Sequence, residues 1–214
     1  MTIWLYRWCV VMMEYVLQIP GEPAGTWYSL FNLYLGLGFL VGGVVVGMMI
    51  YFIMKYREAN SNEDDEIKPG VIPKDRGNIK IITVFFGLTA IILFTLASYS
   101  ILVTNYVEKV PKADDIFEVT VIGFQWGWKF IYPNGTEVVG EVVVPKDKII
   151  VFRITSDDVF HKFQLIEFRT GADAIPGAFN VIWIQPTEPG TYTIQCYELC
   201  GLGHSVMVAT MRVV

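Results

Sequence analysis

The chain has 214 residues, enough for one or two domains, and its residues are 53% hydrophobic and 17% charged. This balance is too apolar for an ordinary soluble protein and points to membrane-spanning segments. The net charge of −5 disfavours nucleic acid as a partner, and three cysteines are too few for a scaffold held together by disulfides.

The first 22 residues are ambiguous because Arg7 and Glu14 interrupt an apolar run that is too short to span a bilayer. A cleaved signal peptide is disfavoured, since the apolar core is short and no small-residue cleavage site follows it directly. We expect residues 1–22 to form a short helix that lies at the membrane interface or packs on a partner. Cys9 has no lipoprotein-type context, and we interpret it as a small buried apolar residue.

Residues 23–107 predict a transmembrane hairpin of two helices. No Asp, Glu, Lys or Arg occurs from Ala24 to Met54 or from Ile81 to Val107. About 20 apolar residues suffice to cross the hydrocarbon layer, and soluble helices of this length carry a polar face. We therefore predict spans at about residues 27–54 and 80–104.

The connecting loop, residues 55–80, carries six Lys or Arg residues, whereas Arg7 is the only basic residue before the first span. Because basic residues in short loops stay on the cytoplasmic side, this loop is predicted to be cytoplasmic and both termini exterior. The first span also holds two Gly-x-x-x-Gly patterns, which let helices approach closely. They would serve either the packing of the hairpin on itself or the docking of a second protein.

Residues 108–214 predict an exterior all-β domain. Short runs rich in β-branched and aromatic residues are separated by Pro, Gly, Asn and Asp, as at residues 132–136 and 187–190. Strands at this spacing, with no helical stretch, predict a sandwich of roughly eight strands. Residues 198–205 would form the loop between the last two strands, and His161 would begin an earlier strand.

A cluster of soft metal ligands lies near the C-terminus in the pattern C-x3-C-x3-H-x2-M. Its members are Cys196, Cys200, His204 and Met207. Thiolate, thioether and imidazole ligands favour copper, but a single-copper blue site uses one cysteine, so this pattern has one thiolate too many. Two thiolates can instead bridge two copper ions. Each ion would take one imidazole, from His161 or His204, with Met207 and a backbone carbonyl, such as that of Glu198, as weak caps.

Three other interpretations of the cluster stay open on the residues alone. Zinc could take two Cys and two His, although a zinc site has no need of Met207 and its usual spacing is C-x2-C. A disulfide between Cys196 and Cys200 is compatible with an exterior compartment. A histidine buried in a core is the common case for any lone histidine, and it weakens here because both histidines of the chain can converge on one site.

The segment CYELCGLGHSVM, with DDVFHKF upstream, closely resembles the dinuclear copper A site of subunit II of haem–copper oxidases. The resemblance covers the whole chain and implies a two-helix transmembrane hairpin followed by an all-β cupredoxin-like Greek-key sandwich. It also implies the ligand roles: bridging Cys196 and Cys200, terminal His161 and His204, and axial Met207 and Glu198 carbonyl. The Glu198 side chain would help to hold a magnesium or manganese ion whose other ligands come from subunit I.

A second match is GFQWGWKFIYPNG. In the family the first tryptophan of this segment lies over the copper site and receives the electron, and Trp126 is the matching position. We interpret Trp128 as an ordinary residue of the sandwich. Gly127 stands where the family commonly has Tyr, which makes the local aromatic cluster smaller.

A third match is ADAIPGAF at residues 172–179. Gly171 stands where the family usually has Lys, and Ala178 where it usually has Arg. Because those cations normally face subunit I, their absence indicates a divergent interface. We expect Asp173 to have a structural or interface role.

The resemblance implies an electron-input subunit of a terminal oxidase. A cytochrome c or a copper protein would donate electrons outside the plasma membrane of a prokaryote, and haem in subunit I would reduce oxygen with proton translocation. From Pro111 onward there are twelve acidic and eight basic residues, a surplus that suits either steering of a basic cytochrome c or solubility. The alternatives are a nitric oxide reductase subunit, a membrane-anchored copper chaperone, and a structural subunit without copper.

Overall fold

The computed structural model describes residues 20–57 and 77–214. These residues belong to two compact units, one formed by Leu30–Thr104 and the other by Asn105–Val214 together with the residues up to Ser29. The predicted N-terminal helix and Cys9 lie outside the described residues, apart from residues 20–22, and so does most of the predicted cytoplasmic loop.

Two long helices carry the apolar segments, α1 (Ala24–Lys55) and α2 (Ile79–Glu108). Each has a mean hydropathy of 2.3 in its most apolar stretch. Their 32 and 30 residues correspond to about 48 and 45 Å at 1.5 Å per residue, more than the ~30 Å of hydrocarbon. Both helices continue beyond the predicted spans, and each has the length and composition needed to cross a membrane.

The two helices meet through a polar contact. The hydroxyl of Tyr34 on α1 lies 2.7 Å from Ser100 Oγ on α2 and 3.3 Å from the carbonyl oxygen of Leu96, to which it donates. The glycine patterns are not part of this contact. A Cβ placed on any of these glycines would meet no atom within 4 Å among the described residues; they are Gly38, Gly42, Gly43 and Gly47. Close packing of the hairpin on itself does not explain them.

The exterior part is a sandwich of two sheets, as predicted. In chain order the described strands are β1 (Gly21–Glu22), β2 (Ile116–Phe124), β3 (Gly127–Ile131), β4 (Glu137–Val139), β5 (Glu141–Val144), β6 (Ile149–Ser156), β7 (His161–Leu165), β8 (Thr170–Ala174), β9 (Asn180–Pro186), β10 (Gly190–Cys196) and β11 (Val208–Val213). One sheet has the order β1-β9-β6-β2-β3-β4 and the other β5-β11-β10-β7-β8. The β2–β6 and β5–β11 pairs are parallel and the rest antiparallel.

Residues 108–214 contain ten described strands, more than the roughly eight predicted. One cause is Gly140, which divides the run 137–144 into β4 and β5, strands of different sheets. Its φ of +80° is easily reached only by glycine. The Gly140 N–H donates to the carbonyl of Trp128, and its own carbonyl accepts from Thr210 N–H in the other sheet. The chain thus crosses between sheets at this residue.

Aromatic and aliphatic side chains fill the space between the sheets. Trp128 is fully buried, as are Phe130, Phe152 and Phe163. The rings of Trp128 and Phe163 meet edge to face at 5.2 Å, and burial of each large side chain contributes about 1.5–3 kcal/mol. Trp128 is therefore a core residue, which confirms its interpretation as an ordinary member of the sandwich.

The start of α1, the end of α2 and the residues just before α1 belong to the sandwich unit. Strand β1 pairs with β9 at the edge of the first sheet, a short strand that the sequence did not reveal. The guanidinium of Arg169 lies over the Trp27 ring at 5.3 Å and donates hydrogen bonds to the Tyr28 hydroxyl. Trp183 Nε1 donates to the carbonyl of Val107 at 2.8 Å. These contacts fix the start of α1 and the end of α2 to the domain.

Candidate metal centre

The ends of three strands bring the predicted ligands together at one end of the sandwich. Cys196 is the last residue of β10, and His161 is the first residue of β7, which pairs with β10. The loop after Cys196 carries Cys200 and ends in a short 3-10 turn, His204–Val206. Met207 follows this turn, immediately before β11. The loop predicted over residues 198–205 is therefore present, with a helical turn at its end.

The ligand atoms converge in two pairs. The Sγ atoms of Cys196 and Cys200 lie 3.8 Å apart. Cys196 Sγ is 3.9 Å from His161 Nδ1, and Cys200 Sγ is 3.6 Å from His204 Nδ1. The Met207 thioether sulfur lies 3.6 Å from Cys200 Sγ. Each thiol thus has a different imidazole nitrogen beside it.

The sixth predicted ligand atom also lies at the cluster, because the carbonyl oxygen of Glu198 is 3.2 Å from Cys196 Sγ. The carboxylate of Glu198 belongs to an exposed residue. Both cysteines are free thiols and are buried. The centre is therefore open to solvent mainly on the side of the loop that carries Glu198 and the half-buried His204.

Water is largely excluded from the sulfur atoms. His161 and Met207 are fully buried, and Cys196 and Cys200 nearly so. Burial raises the pKa of the Cys200 thiol to about 11, and the hydrogen bond that this thiol donates to Cys196 adds to the rise because it stabilises the protonated form. Without a metal this thiol is protonated at neutral pH, so a metal ion must displace its proton on binding.

The cluster fits two soft metal ions better than one hard ion. A distance of 3.8 Å between the sulfurs is well under twice a thiolate–metal bond of about 2.3 Å, so both thiolates can hold the same ion. His161, Cys196 and Cys200 offer ligand atoms that all lie within 4.8 Å of one another. The separate imidazole beside each thiol suits two ions that share the sulfurs. The buried Met207 thioether favours copper over zinc.

Asp158 supports a candidate ligand, and the sequence patterns did not single it out. Its Oδ1 accepts a hydrogen bond from His161 Nε2 at 2.8 Å, which leaves Nδ1 free to face Cys196 Sγ. Burial alone would raise the pKa of Asp158, but hydrogen bonds from His161 and from the backbone N–H groups of Val159 and Gln125 outweigh it and lower that pKa. The carboxylate therefore stays charged. The signal was present in DDVFHKF, as an acid three residues before the histidine.

Trp126 belongs to the turn between β2 and β3 and packs against the loop that carries the second cysteine. The residue is 42% exposed, and its Nε1–H donates to the Cys200 carbonyl at 3.3 Å. The same carbonyl accepts from Gln125 Nε2 at 2.6 Å. A Cβ at Gly127 would come within 2.8 Å of the Phe124 ring, which gives a local steric reason for glycine at this position.

The residues of the third sequence match lie on and after edge strand β8. A Cβ at Gly171 would overlap the Gln164 side chain and the Phe163 carbonyl, so a side chain is not tolerated there without rearrangement. Asp173 lies 3.7 Å from Lys162 in an ion pair on the surface. Ala178 is exposed and its N–H bonds to the Ile175 carbonyl. Asp173 thus contacts a residue next to His161 and touches none of the sulfur atoms.

Comparison with known proteins gives a consistent result. Residues 134–214 match the family described as cytochrome c oxidase subunit II, periplasmic domain. A heme-copper oxidase subunit 2 of Aeropyrum pernix is 42% identical over 208 residues, which cover 92% of this chain and 87% of that protein. A cytochrome c oxidase subunit 2 of Alkalihalophilus pseudofirmus is 30% identical over 194 residues, 88% of this chain and 55% of that protein. The crystal structure of the periplasmic domain of subunit II from Bradyrhizobium japonicum matches 50% of this chain and 88% of its own, at 36% identity and a TM-score of 0.47.

Proposed function

Because this chain belongs to the cytochrome c oxidase subunit II family and is the electron-input subunit of a heme-copper oxidase, we propose that its metal centre holds two copper ions. The observation that supports this is the convergence of two buried free thiols, 3.8 Å apart, each with its own imidazole nitrogen. The protein is membrane-anchored with a periplasmic domain. We propose that it lies in a prokaryotic plasma membrane with both termini exterior and the loop 55–80 cytoplasmic.

The proposed ligands divide into strong and weak ones. Cys196, Cys200, His161 and His204 would hold the two ions, with one imidazole beside each thiolate. Met207 and the Glu198 carbonyl would hold them more weakly. Two copper ions held in this way would supply a one-electron redox centre whose change of charge is spread over both metals.

The chain itself keeps the ligand atoms in place. Cys196 and His161 sit at the ends of paired strands, and the Asp158 carboxylate holds the His161 ring. A site built on strands and supported by outer hydrogen bonds changes its geometry little between charge states. Burial of the sulfurs also limits the reorganisation of water. These properties suit repeated transfer of single electrons.

We propose that electrons enter at Trp126. Its exposed ring touches, through its N–H, the carbonyl of Cys200, so it links the surface to a thiolate ligand by one hydrogen bond. The donor would be a cytochrome c or a small copper protein that docks against this ring.

The surface around the metal loop is largely apolar, and this bears on how the donor docks. Four large hydrophobic side chains of this loop are exposed, with Leu202 at 99%: they are Tyr197, Leu199, Leu202 and Val206. The polar residues exposed beside them are Glu198 and Ser205. Three acids near the ligands are engaged locally, since Asp157 pairs with Lys129, Asp158 with His161 and Asp173 with Lys162. Glu198, which is exposed, is the acid that remains on the loop itself. The acidic surplus of the domain is therefore not concentrated here. We propose a donor contact that is mainly apolar, with weak electrostatic steering.

The electron would leave on the His204 side, toward haem in subunit I. His204 is only half-buried and follows the exposed segment that carries Glu198. We propose that the Glu198 carboxylate contributes to a magnesium or manganese site completed by subunit I. Reduction of oxygen to water, coupled to proton translocation, would take place in subunit I.

Metal analysis and electron paramagnetic resonance of the full-length protein in detergent test the proposal. The expected result is two copper ions per chain with one unpaired electron shared between both. One zinc ion per chain, or cysteines permanently joined as a disulfide, would contradict the proposal.

Among the other candidate functions, a copper chaperone with a thioredoxin-like α/β fold does not fit a two-helix hairpin followed by a β-sandwich.

A further inference from the structure

The indole of Trp126 lies flat against the loop that carries the second cysteine and the second histidine ligand. A Cβ built on Gly203 would come 2.6 Å from Trp126 Cγ and 2.8 Å from Cε3, and closer still to Cδ2. Cβ atoms essentially never approach non-bonded heavy atoms of other residues to less than 3.0 Å. The ring therefore occupies the space that any side chain at position 203 would need.

The backbone of Gly203 gives no other reason for glycine. Its φ of −88° and ψ of 11° lie in the bridge region at negative φ, where glycine has no special advantage over residues with a side chain. Gly201 differs, because its φ of +116° favours glycine whatever its surroundings. At Gly203 the structure therefore gives one reason why a side chain is disfavoured, namely its steric overlap with the Trp126 ring.

We propose that Gly203 is a positioning residue, whose missing side chain seats the Trp126 ring on the loop between Cys200 and His204. This inference rests on the proposed role of Trp126 in receiving the electron. With a methyl group at position 203 the ring must move by about the overlap, and its exposed side leaves it free to swing outward. The 3.3 Å hydrogen bond to the Cys200 carbonyl would lengthen or break.

The expected consequence is selective. A displacement of about 1 Å at a reacting geometry can cost up to about 10²-fold in rate, so we expect electron acceptance from the donor to fall by about tenfold or more. Outside positions 202–204, the three atoms nearest to the new methyl group all belong to Trp126 and none is a metal ligand. The number of bound copper ions, their spectrum and their potential should stay as in the wild type.

The test is a double-mutant cycle in the assembled oxidase with Gly203→Ala, Trp126→Ala and both together. Trp126→Ala is chosen because it leaves no ring to collide with the methyl group. Gly190→Ala is the matched control, since a Cβ there makes ordinary contacts of 3.5–3.7 Å, all with Tyr192, which lies in the same strand. The rate of donor oxidation is one readout. The second is acrylamide quenching of Trp126 fluorescence in the metal-free chain, taken as the difference from Trp126→Ala.

The inference is supported if Gly203→Ala slows donor oxidation and raises the quenching of Trp126, yet has no further effect in the Trp126→Ala background. If Gly203→Ala impairs copper loading, restoration of loading by Trp126→Ala also supports it, and failure to restore overturns it. It is overturned as well if rate and quenching equal the wild type, or if the slowing is the same in both backgrounds. If Trp126→Ala itself leaves the rate unchanged, the proposed electron-receiving role fails, and the quenching alone then decides whether Gly203 seats the ring.

Discussion

Replacement of Asp158 by Asn tests how the outer hydrogen bond supports the metal centre. The substitution keeps the size of the side chain and an oxygen that can accept from His161 Nε2, but it removes the charge. A ligated metal draws electron density from the imidazole, so its N–H donates more strongly to the carboxylate in the loaded state than in the metal-free state. The hydrogen bond therefore contributes to metal affinity as well as to the orientation of the ring.

The magnitude follows from the type of hydrogen bond. A hydrogen bond to a charged group contributes about 1.5–3 kcal/mol of stability, and a hydrogen bond between neutral groups contributes about 0.5–1.5 kcal/mol. The difference of about 1–2 kcal/mol corresponds to about 5–30-fold in an equilibrium constant. We expect Asp158→Asn to weaken copper binding by about tenfold. Loss of a nearby negative charge should also raise the reduction potential, because the reduced centre is the less positive one.

Copper titration of the full-length chain against a competing chelator, with a redox titration of the loaded protein, measures both effects. Asp157→Asn is the matched control, since it removes the same charge from the neighbouring residue, whose carboxylate pairs with Lys129. Wild-type affinity and potential in Asp158→Asn would refute the reasoning. Equal losses in the two variants would assign the effect to general electrostatics and not to the hydrogen bond with His161.

Four further predictions concern the metal centre and its donor, and a fifth concerns the stability of the domain. Cys200→Ser should abolish the shared two-copper spectrum, because only one bridging thiolate remains. Met207→Leu should keep both ions, as measured by metal analysis, and should shift the reduction potential, as measured by redox titration. Apparent copper affinity should rise by at least about tenfold per pH unit below pH 11, because the Cys200 thiol, whose pKa is raised to about 11, must release its proton; an affinity independent of pH between 6 and 9 would contradict this. Donor oxidation should change by less than about threefold between 50 and 200 mM salt, and a much steeper fall would restore the electrostatic alternative. Gly171→Lys should lower the thermal midpoint of the domain, because its Cβ overlaps the Phe163 carbonyl.

The glycine patterns of the first span illustrate a question that the sequence left open. Spacing alone allowed the glycines to pack the hairpin on itself or against a second protein. In the structure Tyr34 contacts Ser100 and Leu96 of the other span, whereas a Cβ on Gly38, Gly42, Gly43 or Gly47 would reach no atom of that span within 4 Å. Composition predicts that a helix spans the membrane, because an uninterrupted apolar run is a local property of the sequence. It does not say which face meets a partner.

Strand counting failed where one residue changed the path of the chain. The run 137–144 is uniformly rich in valine, so its pattern predicts a single strand. A positive φ at Gly140 turns it from one sheet into the other. Periodicity describes the faces of a strand, whereas a change of sheet depends on hydrogen bonds to Trp128 and Thr210, which are distant in sequence.

The sequence by itself predicted the two apolar spans, the β character of the domain that follows them and the set of candidate metal ligands. It could do so because charge-free length is local, and because four ligands fall within twelve residues while the chain has only two histidines. Only the tertiary structure decided which residues support those ligands: Asp158 beneath His161, Gln125 and Trp126 on the Cys200 carbonyl, and Gly203 under the indole. The Gln125 and Trp126 contacts join residues 75 and 74 positions apart, and the packing of two sheets, which no short pattern encodes, brings them together.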